Sequence, residues 1–415
     1  MPAPAGWLRG PPRDSLVAGA LLLFGLCLTL PYSGPKVHWT DPDGLFYEAQ
    51  KREIQGEPRY EALRLVFGSD LATAAKQYES NLPPRLKRVD NPRWVRYSSR
   101  FYRRRWTVPI MAAALDPLFG TRALEEVSLL GWAFLPPVLY LLLRRRFAAG
   151  PAVFASVFCT LLPPLIVLAA GPGVDTWGLT LLVAGLLLAL MVRERGLRWL
   201  PVWIATVFVL SFTRDETIVL VIATGWLAWR ERSRVMTAVT ATGALASLPA
   251  PLLFSAPLRD NLAYVANSYR IPADTSWGSI LPRYPHELGY TVGNDLLYPI
   301  HPALPVLSFL MLVPVVAAVV AMCMRMKERD SFVTLIRASA VGGVLTILVS
   351  VNYTALRLEF VFVPALATGL ALVCEWLLRD SPWTRGRYGS RFLMLRRPKV
   401  ETPNSQLPAP RNAIT

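Results

Sequence analysis

Long apolar runs alternate with short, arginine-rich connections from one end of this chain to the other. Crossing a bilayer takes about 20 apolar residues, with a range of about 17–25. Runs that meet or approach this length are 15–32, 123–143, 151–170, 178–192, 199–213, 216–229, 235–256, 303–324, 333–353 and 360–378. The pattern predicts an all-α polytopic membrane protein with ten transmembrane helices. Pro136-Pro137 and Pro163-Pro164 interrupt two of the runs. Such breaks are tolerated where neighbouring helices or a cavity satisfy the freed carbonyls. The first run is longer than the apolar part of a usual signal peptide and no A-x-A site follows it, so an uncleaved helix is expected.

Trp106–Gly120 is shorter and carries Pro109, Asp116 and Pro117, which fits either a weak span or an interfacial helix. Parity decides. If it does not cross and the N-terminus is inside, Arg144-Arg145-Arg146, Arg193/Arg195/Arg198, Arg230/Arg232/Arg234 and Arg325/Lys327/Arg329 all face the cytoplasm. That arrangement obeys the positive-inside rule and the opposite one violates it. The expected organisation is a cytoplasmic N-terminus (1–14), a transmembrane domain (15–378) and a basic, disordered cytoplasmic tail (379–415) resting on anionic lipid. Segments 33–122, 171–177, 257–302 and 354–359 then lie outside a plasma membrane, with a tight turn at Arg214-Asp215-Glu216. Within the first loop, Tyr47–Gly56 reads as an amphipathic helix ending at a glycine, and 57–105 as an irregular layer.

Composition agrees with the pattern. The chain has 415 residues, is 53% hydrophobic and 17% charged, with mean hydropathy +0.36. The net charge of +16 sits mostly in clusters between apolar runs, and no nucleic-acid recognition motif accompanies it. The four cysteines lie inside apolar segments without CxxC or CxxH partners, which argues against a disulfide framework or a zinc site. His38, His286 and His301 are too scattered for a histidine-rich metal centre.

Against this apolar background the charged positions stand out. Asp41-Pro42-Asp43-Gly44 has the chemistry of a turn. Placed after the first run and ahead of Tyr47, it also fits carboxylates held at a bilayer surface, where ionisable groups are costly unless solvated or used. The rest of a calcium-loop pattern is absent. Arg100-Phe101-Tyr102-Arg103-Arg104-Arg105 fits a basic patch on lipid headgroups, or a clamp for a lipid phosphate. Asp175 fits the N-cap of the next helix, a role compatible with its being a second acid facing the same compartment as Asp41 and Asp43. Thr213-Arg214-Asp215-Glu216 fits a capped turn with a surface ion pair, or charges near membrane depth that serve a site. Arg357, ahead of the last run, fits an interfacial anchor or a counter-charge for phosphate.

Taken in order, these features resemble the GT-C superfamily of integral-membrane glycosyltransferases. Relatives include protein O-mannosyltransferases, aminoarabinose transferases of lipid A, and actinobacterial arabinosyl- and mannosyltransferases. The resemblance rests on Asp41-Pro42-Asp43 after a first span, followed by Tyr47, Ala49 and Gly56. It continues through Arg104-Arg105-Trp106-Thr107-Val108-Pro109, Leu118-Phe119-Gly120, Asp175, the Thr213–Glu216 turn and Arg357. It implies a sugar donor on polyprenyl phosphate and an extracytoplasmic acceptor. It also implies a first-loop acid, Asp41 or Asp43, as base or metal ligand. Arg357 with Arg104 or Arg105 would hold the donor phosphate, and Tyr47, Asp175, Arg214 and Glu216 would line the substrate site. A divalent metal belongs to this expectation only as an option, because no His or Glu cluster marks its place. The competing expectations are a flippase for a lipid-linked sugar and a non-catalytic subunit of a cell-envelope complex. The sequence shows neither the internal repeats nor the mid-span charges a flippase would favour, apart from Arg337 and Glu375.

Overall fold

The computed structural model describes residues 12–33, 42–70, 91–254, 258–268, 270–297, 305–324, 330–349 and 359–380. Two compact units divide the chain, Met1–Glu375 and Trp376–Thr415. Of the second, only the helical residues Trp376–Asp380 are described.

Among the described residues every regular element is a helix. The chain runs through α1 (Pro12–Thr29), α2 (Pro42–Ile54), α3 (Arg59–Leu65), α4 (Pro92–Tyr102), α5 (Thr107–Phe119) and α6 (Ala123–Leu143). Then come α7 (Ala149–Thr160), α8 (Pro163–Ala169), α9 (Asp175–Arg195), α10 (Leu200–Ser211), α11 (Thr217–Glu231), α12 (Arg234–Ser247) and α13 (Pro249–Phe254). The last are α14 (Leu258–Ala266), α15 (Trp277–Ile280), α16 (Tyr284–Leu297), α17 (Pro305–Met324), α18 (Ser331–Val349) and α19 (Val363–Asp380). Segment 57–105, expected to be irregular, instead holds α3 and α4. Asn91 starts α4 by accepting from Arg93 N at 2.9 Å, with Pro92 in the first turn.

Three continuous helical stretches, Thr107–Leu143, Asp175–Arg195 and Arg234–Phe254, are long and apolar enough to cross a membrane. The α7–α8 pair, bent by 59°, would make a fourth. Run 151–170 is therefore not one straight helix, because Leu161 caps the end of the first piece and Pro163 begins the second. Stretches Leu197–Ser211, Ser331–Ile347 and Val363–Leu378 are apolar but shorter. Apolar side chains also cover the outside of the bundle: Phe154, Val202, Phe208, Leu252, Val316 and Val344 are all exposed. An apolar outer surface of this kind fits a bilayer rather than water.

Helices approach closely through small residues, as in membrane bundles. At Gly25 a Cβ would overlap the backbone of Ala133, so α1 lies directly on α6. Threonines of α9 donate to α6 carbonyls, Thr176 Oγ1 to Ser128 O at 2.7 Å and Thr180 Oγ1 to Gly131 O at 2.8 Å. These contacts, with Gly185 against Leu220 and Gly342 against Val219, set the directions. Helices α6, α9 and α11 run one way, and α1 and α18 run the other.

Each end of the bundle therefore has a character. At one end Arg144 pairs with Asp14 (3.0 Å), Arg145 with Glu194 (2.9 Å), Arg193 with Glu231 (2.8 Å) and Arg146 with Asp330 (2.9 Å). Three of the arginine clusters of the sequence thus share this basic end. The fourth, 325–329, lies outside the described residues. The starts of α9 and α11 and the end of α10 meet at the opposite end, beneath α2, α4 and α5.

Candidate active site

The site begins with the way α2 starts. Pro42 has a fixed φ and no N–H, both suited to the first position of a helix. Asp43 follows in the first turn, where unpaired N–H groups favour a carboxylate. Pro42-Asp43-Gly44 is thus a helix start rather than a free turn, and the helix extends well ahead of Tyr47. Gly44 lets it press on the 171–174 turn, since a Cβ there would overlap Pro172 Cγ. Asp43, Leu45, Phe46 and Tyr47 are all buried.

Tyr102, at the end of α4, closes over Asp43. Its hydroxyl donates to Asp43 Oδ1. Its carbonyl accepts from Gln50 Nε2 at 2.7 Å, and its ring stacks on Phe46 with centroids 4.4 Å apart. The Arg105 guanidinium lies 5.3 Å from the same ring and donates through Nη1 to Tyr47 Oη at 2.8 Å. Burial, then Asp43 and Tyr47, lift the Tyr102 phenol well above its ordinary value of 10, so it remains a donor. For Arg105 burial pulls the other way, but Tyr47, Asp43 and Asp215 outweigh it and raise the pKa.

Arg104 points to the end of α10, where Nη2 pairs with Asp215 Oδ2. Thr107 anchors this connection: its N–H donates to Phe212 O at 3.2 Å and its hydroxyl to Val209 O at 3.2 Å. Arg214 bridges two carboxylates, Asp175 through Nη1 and Glu216 through Nε at 2.9 Å. Its stem runs over Gly178, where a Cβ would come within 2.8 Å of Arg214 Cδ. Asp175 opens α9 without acting as its cap, and its side chain turns to Arg214 instead. The 213–216 turn is likewise not a surface feature, for Thr213, Arg214 and Glu216 are all buried.

Asp43, Tyr47, Arg104, Arg105, Asp175, Arg214 and Glu216 are thus brought together at one end of the bundle. Asp41 and Arg357 lie outside the described residues. The two neighbouring arginines take different places. Arg105 is locked beneath Tyr47 and Tyr102, while the Arg104 pair remains partly exposed, at 20% and 14%. Among the described residues, Arg104 Nε, Arg105 Nε and Glu216 Oε2 are buried without a hydrogen-bond partner. Three guanidiniums face four carboxylates here. Among the described residues no three His, Cys, Asp or Glu side chains gather to hold a metal ion. Between Asp175 and Glu216, the space a cation would take is filled by Arg214.

Sequence reasoning missed Tyr102 and underused Asp215. It also missed the clamp beside the site, where Lys51 Nζ lies 3.0 Å from Glu48 and 2.8 Å from Asp116, tying α2 to α5. Burial raises the Glu48 pKa despite the charges of Lys51 and Arg52. An apolar groove of about 540 Å³ lies along α10, lined by Leu200, Ile204, Phe208 and Val209 of α10 and Ala246 of α12; its Val209 end is where the Thr107 hydroxyl donates. No protein-family model and no curated protein matches the chain.

Proposed function

We propose that the chain is a plasma-membrane glycosyltransferase of GT-C type, with ten spans, both termini in the cytoplasm and an extracytoplasmic site. It would transfer a sugar from polyprenyl phosphate to an extracytoplasmic acceptor. The observation that carries this reading is the convergence of Asp43, Arg104 and the Arg214 cluster at one end of the bundle. Four separate stretches of sequence supply those charges, and buried charges gather where they pair or serve a site. The apolar groove along α10, which reaches Val209 beside Thr107, supports it as a place for a lipid chain.

In this reading the acceptor hydroxyl attacks the anomeric carbon and a carboxylate of Asp43 or Asp41 takes its proton. General-base catalysis of this kind is worth roughly 10²–10⁴-fold. The bond from the anomeric carbon to the phosphate oxygen breaks, and the phosphate leaves with the electron pair. Arg104 meets that charge by releasing Asp215, with Nε as a further donor and Arg357 as a second cation. Arg214 and Arg105 hold the geometry. The anomeric configuration inverts.

The test is transfer from radiolabelled polyprenyl-phosphate sugars in membranes containing wild type, Asp41→Asn or Asp43→Asn. Label reaching an acceptor with wild type, and lost in one folded variant, supports the assignment and identifies the base. If both variants transfer as wild type does, the base assignment is wrong. If wild type only moves the labelled lipid between leaflets, the chain is a flippase.

A further inference from the structure

The arginine-rich stretch before α5 divides in two. Arg104 and Arg105 turn into the site. Arg93, Arg96, Arg100 and Arg103 do not. Their spacing of three, four and three residues puts them on one face of α4, and the helical turn continues through Arg103. The opposite face is buried through Trp94, Val95, Ser98 and Ser99. Arg93, Arg96 and Arg103 are exposed, and the Arg100 side chain is 42% exposed. Arg100 lies 3.8 Å from Asp260. Among the described residues no carboxylate comes within 4.0 Å of the other three. At the basic end of the bundle, by contrast, Arg144, Arg145, Arg146 and Arg193 each have a carboxylate. Crowding is felt locally too: burial, and then the like charge of Arg103, lower the Arg59 pKa.

Neighbouring apolar residues mark the level of the C-terminal end of this face. Trp106 packs on Phe254 at 5.9 Å between ring centroids, at the end of α13. Next to Phe254, Leu252 and Leu253 are 77% and 67% exposed. Ile110, Leu118 and Phe119 of α5 are exposed apolar residues as well. The C-terminal end of α4 therefore meets the rim of the apolar outer surface, and the 11-residue helix is only about 16 Å long. The C-terminal end of the guanidinium row, at Arg103, thus comes nearest to the apolar rim, within reach of lipid phosphates.

We propose that the arginine face of α4 is a binding surface for anionic phospholipid headgroups, which seats the extramembrane layer on the bilayer. Guanidinium groups engage phosphate oxygens through paired N–H donors. The proposal does not depend on the glycosyltransferase reading. A basic residue at an anionic surface contributes about fivefold to affinity, so three contribute about 100-fold.

The experiment uses the full chain purified in detergent, titrated separately with phosphatidylglycerol and phosphatidylcholine and followed by native mass spectrometry. The variant Arg93→Gln/Arg96→Gln/Arg103→Gln is expected to lose about 100-fold in affinity for phosphatidylglycerol and nothing for phosphatidylcholine. The corresponding triple lysine variant should stay within about fivefold of wild type. Unchanged phosphatidylglycerol binding in the glutamine variant overturns the proposal, as does equal binding of the two lipids by wild type. A soluble polyanion, polyglutamate, is the third arm. If the variant loses polyglutamate but keeps phosphatidylglycerol, the face serves a soluble partner and the proposal falls. If the triple variant is not monodisperse, Arg93→Gln and Arg96→Gln alone carry the test, each expected to lose about fivefold.

Discussion

Arg214 and Arg104 stand in the same cluster, yet burial predicts opposite consequences for their removal. In Arg214→Gln, Asp175 and Glu216, at 1% and 6% side-chain exposure, lose the cation between them. Breaking a buried ion pair from one side costs about 3–5 kcal/mol, because the remaining charge stays desolvated. That is a large share of the stability of a typical domain, about 5–15 kcal/mol. In Arg104→Gln the released partner, Asp215, is 14% exposed and can take up water. The expected cost there is about 1 kcal/mol or less. Thermal unfolding in detergent, followed by tryptophan fluorescence, separates the two. Arg214→Gln should unfold far below wild type and Arg104→Gln close to it. Sugar transfer should fall in both, but only Arg104→Gln should lose it while folded. The double variant Arg214→Gln/Asp175→Asn should recover part of the loss, since it removes a stranded charge. Equal stability of Arg214→Gln and wild type would refute the reasoning, as would equal destabilisation by the two single variants.

Gly44→Ala drives a methyl group into Pro172, and overpacking of this kind costs about 1–3 kcal/mol; thermal unfolding should report that cost, and full stability would show that the α2–turn contact is slack. Tyr102→Phe deletes the donor to buried Asp43 but keeps the stacking on Phe46, so stability should fall by about 1–3 kcal/mol while transfer falls. Because the Tyr102 phenol titrates well above 10, an alkaline limb in the wild-type rate profile below that pH should persist unchanged in the variant. Glu48 has a raised pKa, so the folded state binds more protons there than the unfolded state, and this group's contribution to stability falls as pH rises from its unfolded value of 4.5 through the folded value. Comparing unfolding temperatures of wild type and Glu48→Gln, wild type should gain relative to the variant as pH is lowered from neutrality toward 4.5, and a gain in the opposite direction would contradict the assignment.

Charges beside apolar runs were legible because bilayers make them conspicuous. Asp43, Arg104, Asp175 and Arg214 were each visible in this way. Their pairing was not, since nothing in one sequence says that Arg214 reaches back to Asp175 rather than out to a ligand. Tyr102 was hidden among aromatic and basic neighbours that look alike until α4 forms. The signal that would have revealed α4 was Asn91-Pro92, a cap followed by proline at the first position. Helix limits blurred where proline or a charged turn interrupts an apolar run, as at Pro163 and at 212–216. Hydropathy there follows composition, whereas the backbone follows the hydrogen bonds that proline removes.

The ion pairs at the basic end give the molecule a mechanical property. Helix α9 carries Asp175 at one tip and is tied at the other through Glu194 to α6 and through Arg193 to α11. At 21 residues it is a rod of about 31 Å. Pivoting such a rod by about 2° swings its far tip by about 1 Å. Misalignment of that size between reacting groups costs on the order of 10²-fold in rate. In the proposed transferase, loosening the arginine latches on one side of the bundle would therefore detune a site on the other that they never touch.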